Sequence, residues 1–256
     1  MCLIAFAWKA HPDVSLAVAA NRDEWHERPA SPAGWWRDHP DILAGRDLQA
    51  GGTWLGVSRN RRFAALTNFR DPSARKSEAP SRGKLIVDFL LGTSSAQQYL
   101  HVLRESAMHY QGFNLLVGDG ETLFYFSSWQ NEMSAVPPGV HALSNHTLNE
   151  PWPKVEQSKS ALAAALQAEM PEDARRMAFY EFLSNDRRAD DAVLPDTGVG
   201  LEWERRLSPA LIVSDTYGTR CSTVLTISAG GEVCFEERTR DRHGHVTGVS
   251  SFNFAR

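Results

Sequence analysis

Cys2 stands directly behind the initiator methionine and opens an apolar run, Leu3-Ile4-Ala5-Phe6-Ala7-Trp8. Removal of Met1 leaves one residue with both a thiol and a free α-amine, a nucleophile carrying its own general base. The amine titrates at about 7.7–8.0 and the thiol at about 8.5, so a proton passes usefully between them near neutrality. A second-position cysteine is also simply a small apolar residue starting a strand. The chemistry therefore depends on what the rest of the chain brings to it.

Four short polar clusters are candidates: Asn21-Arg22-Asp23-Glu24, Asn68-Phe69-Arg70-Asp71, Asn145 with Asn149, and Tyr217-Gly218-Thr219-Arg220. Together they suit amide or acyl chemistry. A thiolate attacking an acyl carbon creates an oxyanion, which needs preorganised neutral donors such as asparagine amides or backbone N–H groups. Asp23 could hold the α-ammonium or orient the thiol, and Arg220 could fix a carboxylate or developing negative charge. Asn and Asp at strand ends are equally ordinary turn residues, so the value of these clusters lies in convergence.

The elements that must position them follow from hydrophobic patterning. Residues 2–8 and 14–20 read as a hairpin joined through Lys9-Ala10-His11-Pro12-Asp13. With the turn between His11 and Pro12, Cys2 falls opposite Asn21. A one-residue slip flips every side chain across the sheet, which leaves open whether Asn21 or Arg22 faces the thiol. Residues 27–50 read as irregular chain. A strand at 51–57 and a return strand at 63–67 enclose a solvated tip, Arg59-Asn60-Arg61-Arg62, and deliver Asn68 near Gly51-Gly52, where backbone or ligand can approach closely.

Ser81 is the expected cap of a helix over 84–91, and a second helix runs near 95–109. Strands follow at 113–117, 122–127 and 140–144, helices near 153–169 and 172–183, and strands at 208–213, 222–228 and 232–237. The segment 184–206 reads as loop. Helices in the middle with strand blocks on both sides suit an α+β chain of antiparallel sheets covered by helices, expected as a single domain spanning 1–256.

Composition narrows the functions. The chain has 256 residues, 42% hydrophobic and 23% charged, with a net charge of −4. Scattered Lys and Arg leave no basic footprint for nucleic acid. The apolar stretches fall short of a membrane span, and Lys9 interrupts the first run where a signal peptide would continue, so a cytoplasmic protein with reduced thiols is expected. Cys2, Cys221 and Cys234 lack metal-like spacing, and His243-Gly244-His245 reads as a solvated loop rather than a ligand pair. No metal or cofactor is expected for hydrolysis. Most tryptophans read as core or loop anchors, and Cys221 as a strand residue.

The ordered set Cys2, Asn21-Arg22-Asp23-Glu24, Arg28-Pro29, Gly45-Arg46-Asp47, Gly51-Gly52-Thr53-Trp54-Leu55-Gly56, Leu66-Thr67-Asn68, Ser81-Arg82-Gly83, Gly112-Phe113-Asn114-Leu115, Leu143-Ser144-Asn145, Pro151-Trp152-Pro153-Lys154 and Tyr217-Gly218-Thr219-Arg220 resembles the NRDE family, also called the transport and Golgi organization 2 family. The resemblance covers nearly the whole chain. It implies similarity to N-terminal nucleophile hydrolases and hence a four-layer αββα fold, two antiparallel sheets between helices.

Within that superfamily the pattern is similar to the bile salt hydrolase and penicillin V acylase branch. That likeness implies Cys2 as nucleophile and base, Asp23 as its orienter, Asn68 and Asn145 as oxyanion donors and Arg220 as a late-strand stabiliser. The branch places an arginine three residues before its aspartate. Here that position is Ala20, and Arg22, two residues on, shares its face on a strand. Asn149 competes with Asn145 for its role. The expected activity is an N-terminal-cysteine amidohydrolase or acyltransferase acting on a non-peptide amide or acyl thioester. The alternative is a non-catalytic protein whose pocket carries haem or an acyl lipid.

Overall fold

The computed structural model describes residues 2–74, 76 and 78–255. Met1, whose removal the chemistry requires, lies outside them. In chain order the strands are β1 (Cys2–His11), β2 (Val14–Trp25), β3 (Ala30–Trp35), β4 (Ile42–Asp47), β5 (Leu55–Ser58), β6 (Phe63–Asn68), β7 (Phe113–Gly118), β8 (Leu123–Ser127), β9 (Glu132–Ala135), β10 (Gly139–Leu143), β11 (Tyr217–Ser228), β12 (Val233–Arg240) and β13 (Val246–Phe254). The helices are α1 (Gly83–Leu91), α2 (Ala96–Ser106), α3 (Pro153–Gln167), α4 (Glu172–Leu183) and α5 (Leu201–Leu207). They form two compact halves: residues 1–27, 138–144 and 148–254, and residues 28–137 with 145–147.

The first half is a six-stranded antiparallel sheet ordered β10-β1-β2-β11-β12-β13. One face is built for close helix packing. Ala5, Ala7, Ala17, Ala19 and Ala142 each present only a methyl, and Val155, Leu162 and Leu166 of α3 with Phe179, Tyr180 and Leu183 of α4 fill the space above them. Each such aliphatic or aromatic side chain contributes about 1.5–3 kcal/mol by leaving water. Pro153 begins α3, where a missing N–H and a preset φ cost nothing.

The β1–β2 register differs from expectation by one residue. The turn centres on Pro12 and Asp13, and a bulge between Trp8 and His11, where Lys9 adopts φ 46°, shifts the ladder again. Cys2 therefore pairs with Arg22, and Leu3 with Asn21. Because side chains alternate, that single step exchanges the faces of Asn21 and Arg22.

The second half is a seven-stranded antiparallel meander, β3 to β9 in sequence order. Its core packs Ile86, Phe89 and Leu90 of α1 and Leu100 and Leu103 of α2 against Ile42, Leu66, Phe113, Leu115 and Phe126. Ser95 caps α2 in a full capping box with Gln98. Ser81 does not cap α1: Arg82 holds that position without a side-chain bond. Packing sets this helix start, because a Cβ on Gly52 would lie 2.5 Å from the Gly83 carbonyl carbon. The close approach expected at Gly51-Gly52 is thus made by backbone.

Arg62 also departs from the solvated tip expected of it. Its guanidinium donates to the carbonyls of Phe89 and Ser94 and lies 3.9 Å from the Phe89 ring centre, while Arg59 and Asn60 remain exposed. In the 27–50 and 208–213 segments the structure again differs, forming β3 and β4 in the first and irregular chain in the second.

Candidate active site

Cys2 begins β1 and is 7% exposed. Arg22 lies directly across on β2, and Cys221 lies across from Arg22 on β11. These three form a row on the sheet face opposite the helices. One row inward on that face are Ile4, Ala20, Thr223 and Glu237, so Ala20 and Arg22 do share a face. Burial pushes the Cys2 thiol up, and the Asp23 charge acts in the same direction; the Arg22 charge and the Asp23 backbone N–H pull it back toward thiolate. Cys221 is pushed up further, by burial first and then by the Glu237 carboxylate.

Asn21, expected beside the thiol, is on the helix-covered face. It is fully buried, and its Nδ2 donates to the carbonyls of Leu183 and Ala210, both at 2.8 Å. It ties β2 to the end of α4 and to the chain after α5. Arg22 takes the place across from Cys2, and its guanidinium lies 4.0 Å from the Glu24 carboxylate.

Asp23 is 1% exposed and is gripped by the start of β11. Thr219 Oγ1 donates to Asp23 Oδ1 at 2.7 Å and accepts the Ile212 N–H at 2.9 Å. The Tyr217 hydroxyl donates to the Asp23 carbonyl at 3.0 Å. Between them Gly218 is required: a Cβ there would sit 2.6 Å from the Ile212 oxygen. The Tyr217-Gly218-Thr219 sequence is therefore a clamp on Asp23.

Arg220 follows as the extra residue of a bulge, since the register steps between Thr219 and Cys221. Bulges re-aim side chains, and here the guanidinium donates to the Trp25 carbonyl at 2.8 Å. Burial, and then the like charge of Arg22, holds its pKa below the usual guanidinium value. Two arginines thus approach each other at the Cys2 end of the sheet, with Glu24 as their acidic neighbour. Ser144 Oγ donates to the Cys2 carbonyl at 3.2 Å, pinning the first residue of β1.

In the second half, Asn68 ends β6. Asn145 is fully buried, and its Nδ2 donates to the Asn68 carbonyl at 3.0 Å, while its own carbonyl accepts the Arg70 N–H at 2.7 Å. Asn68, Arg70 and Asn145 are therefore brought together. A buried network supports them: Asn114 Nδ2 donates to Thr67 Oγ1 and the His146 carbonyl, and Asn114 Oδ1 accepts from the Tyr125 hydroxyl. Phe69 stacks on Trp129 and meets the tilted His146 ring, with centroids 5.1 and 5.0 Å away. Asn149 belongs to the first half, where its side chain binds Ala142 N–H and His141 Nδ1 at φ 60°, a turn residue of β10.

Sequence reasoning did not single out Thr219, Ser144, Asn114 or Glu237. The first three stood inside recognised motifs without a role. Glu237 lies 3% exposed on β12, but it stands in the charged run Glu236-Glu237-Arg238, where no alternation marks an inward position. His243 and His245 occupy the exposed β12–β13 turn. Among the described residues no group of three or more His, Cys, Asp or Glu side chains could hold a metal, and no helix is long and apolar enough to cross a membrane.

The sequence profile of the Transport and Golgi organisation 2 family matches residues 1–242. The Transport and Golgi organization protein 2 homolog of Bos taurus is 34% identical over 93% of both chains, and that of Homo sapiens 31% over the same shares. A crystal structure of the C2A mutant of conjugated bile acid hydrolase from Clostridium perfringens superposes with a TM-score of 0.52, 8% sequence identity, and coverage of 99% of this chain and 92% of that one. This likeness shows the fold: α+β, with two antiparallel sheets and helices.

Proposed function

For a chain that belongs to the Transport and Golgi organisation 2 family, we propose the activity of an N-terminal-cysteine amidohydrolase or acyltransferase acting on a non-peptide amide or acyl thioester. The observation that carries the reading is the setting of Cys2: Arg22 directly across the ladder, the Asp23 N–H directed at its sulfur, and Asp23 itself clamped by Tyr217 and Thr219. A thiol in an apolar row needs no such arrangement.

With Met1 removed, the Cys2 α-amine takes the thiol proton and the thiolate attacks the acyl carbon. Arg22 and Arg220 stabilise the charge that develops, and Asn68 and Asn145 enter the proposal as amide donors to the oxyanion. Collapse expels the amine or thiol, which recovers the proton from the α-ammonium and leaves an acyl thioester on Cys2. Water, or an acceptor nucleophile, then attacks that thioester and regenerates the thiol. No metal or cofactor takes part, and the proposed setting is the cytoplasm.

A panel of N-acyl amides and acyl thioesters, followed by release of amine or thiol, tests the reading. Turnover that disappears in Cys2→Ala supports it; the same turnover in wild type and Cys2→Ala overturns it. The burial of Cys2 favours a second reading, in which the protein holds haem or an acyl lipid without turnover. Saturable binding of haem or acyl-CoA, equally tight in Cys2→Ala and without any product, would decide for that one.

A further inference from the structure

Away from the thiol, the first half carries a second cleft, of about 480 Å³, between the first turns of α3, the end of α4 and the chain from Asn185 to Val193. Its size suits a small molecule, for which sites of roughly 300–1,000 Å³ are usual. Three cations line it, Lys154, Arg187 and Arg188, against one carboxylate, Asp190.

Two features distinguish this lining from an ordinary charged surface. Ser158 is 2% exposed, yet among the described residues its hydroxyl has no hydrogen-bond partner, although it borders the cleft. Its oxygen opens onto the cleft, where a ligand oxygen can bond it in place of water. The guanidinium groups of Arg187 and Arg188 likewise enter no hydrogen bond or ion pair among the described residues. Two other arginines of this half are held in ion pairs: Arg205 with Asp191, and Arg176 with Asp173 and Glu236.

Lys154 is held in place, 4% exposed, its ammonium donating to the Leu207 carbonyl at 2.8 Å. The first turn of α3 adds the positive end of a 15-residue helix. Phe182, Ala161 and Val193 supply apolar lining to the same cleft. Paired guanidiniums match phosphate oxygens bidentately, and the apolar lining matches a ring or short hydrocarbon.

We propose that this cleft binds a small organic phosphate, its phosphate group on Arg187, Arg188 and Ser158 and its apolar body on Phe182 and Val193. The site is independent of the activity proposed for Cys2.

Isothermal titration with phenyl phosphate, inorganic phosphate and phenol separates head from body. Phenyl phosphate is expected to bind saturably with a Kd of about 1 mM or tighter, and inorganic phosphate about tenfold more weakly. The double variant Arg187→Ala/Arg188→Ala, whose exposed side chains leave the thermal unfolding midpoint unchanged, is expected to lose at least about tenfold in affinity for phenyl phosphate. Ser158→Ala should lose a few-fold, while Cys2→Ala binds as wild type. The proposal is overturned if phenyl phosphate shows no saturable binding, if phenol or inorganic phosphate binds as tightly as phenyl phosphate, or if the double variant or Cys2→Ala behaves in the opposite way.

Discussion

The two halves hold their chemistry-bearing residues by different devices. In the six-stranded half, Asn21, Arg22 and Asp23 are successive residues of one strand interior, so the pleat sends neighbours to opposite faces. Asn21 becomes a structural tie to Leu183 and Ala210, Arg22 meets Cys2, and Asp23 is gripped by β11. In the seven-stranded half, Asn68 and Asn145 sit at a strand end and in a loop, and backbone carbonyls with the Asn114 network hold them. A strand interior fixes which side chain faces where by register alone; a strand end needs a dedicated polar scaffold.

The largest expected effect breaks the comparison at its chemical centre. Cys2→Ala should reduce acyl transfer by about 10⁴-fold or to background, as removal of a nucleophile does, with little change in unfolding midpoint. Next, adjacent residues of β2 should separate cleanly. Asn21→Ala leaves two buried carbonyls without their donor and should cost about 2–4 kcal/mol in denaturant unfolding, while turnover per folded molecule stays within about twofold. Arg22→Ala should do the reverse, lowering turnover by about 10²-fold with a smaller stability loss. Equal behaviour of the two variants would mean that the faces are not divided as described.

Gly218→Ala tests the clamp. Its Cβ would meet the Ile212 oxygen at 2.6 Å, and the backbone shift should cost about 1–3 kcal/mol and slow turnover by displacing Asp23. Asn114→Ala is the matching test in the other half: about 1–3 kcal/mol lost, with the loop at His146 exchanging its amide hydrogens faster.

The smallest effect is on pH dependence. Burial raises the Cys2 and Cys221 thiols in the folded state, so the unfolded chain releases these protons first. Their contribution to stability is complete below the ordinary thiol pKa of about 8.5 and is lost as pH rises above it through the folded values. The unfolding midpoint should fall on the alkaline side, and Cys2→Ala/Cys221→Ala should flatten that fall.

The comparison also explains what was legible in the sequence. The α+β class, the helices α1 to α4 and the hairpins β1–β2, β5–β6, β7–β8 and β11–β12 followed from periodicity and turn residues, because those segments carry their own local signal, whereas β9 and β13 were missed. Asn21 and Arg22 did not sort, because the register depends on a bulge at Lys9 that no local pattern announces. β3 and β4 were missed because Pro32, Gly34 and Gly45 read as loop while ladder pairing holds them extended. The helix α5 lay in a short segment read as loop. Thr219 and Gly218 were visible as residues, but their grip on Asp23 joins positions nearly two hundred residues apart and exists only once β11 lies beside β2.

The most direct test of Cys2 as an amino-terminal nucleophile is intact mass spectrometry with peptide mapping, on wild type and Cys2→Ala, before and after an activated acyl thioester. The expected wild-type protein is one methionine lighter than the encoded chain and gains a single acyl group on Cys2, while Cys2→Ala gains none there or elsewhere. Retention of Met1, or equal acylation of both proteins at Cys234 or lysines with Cys2 untouched, would contradict it.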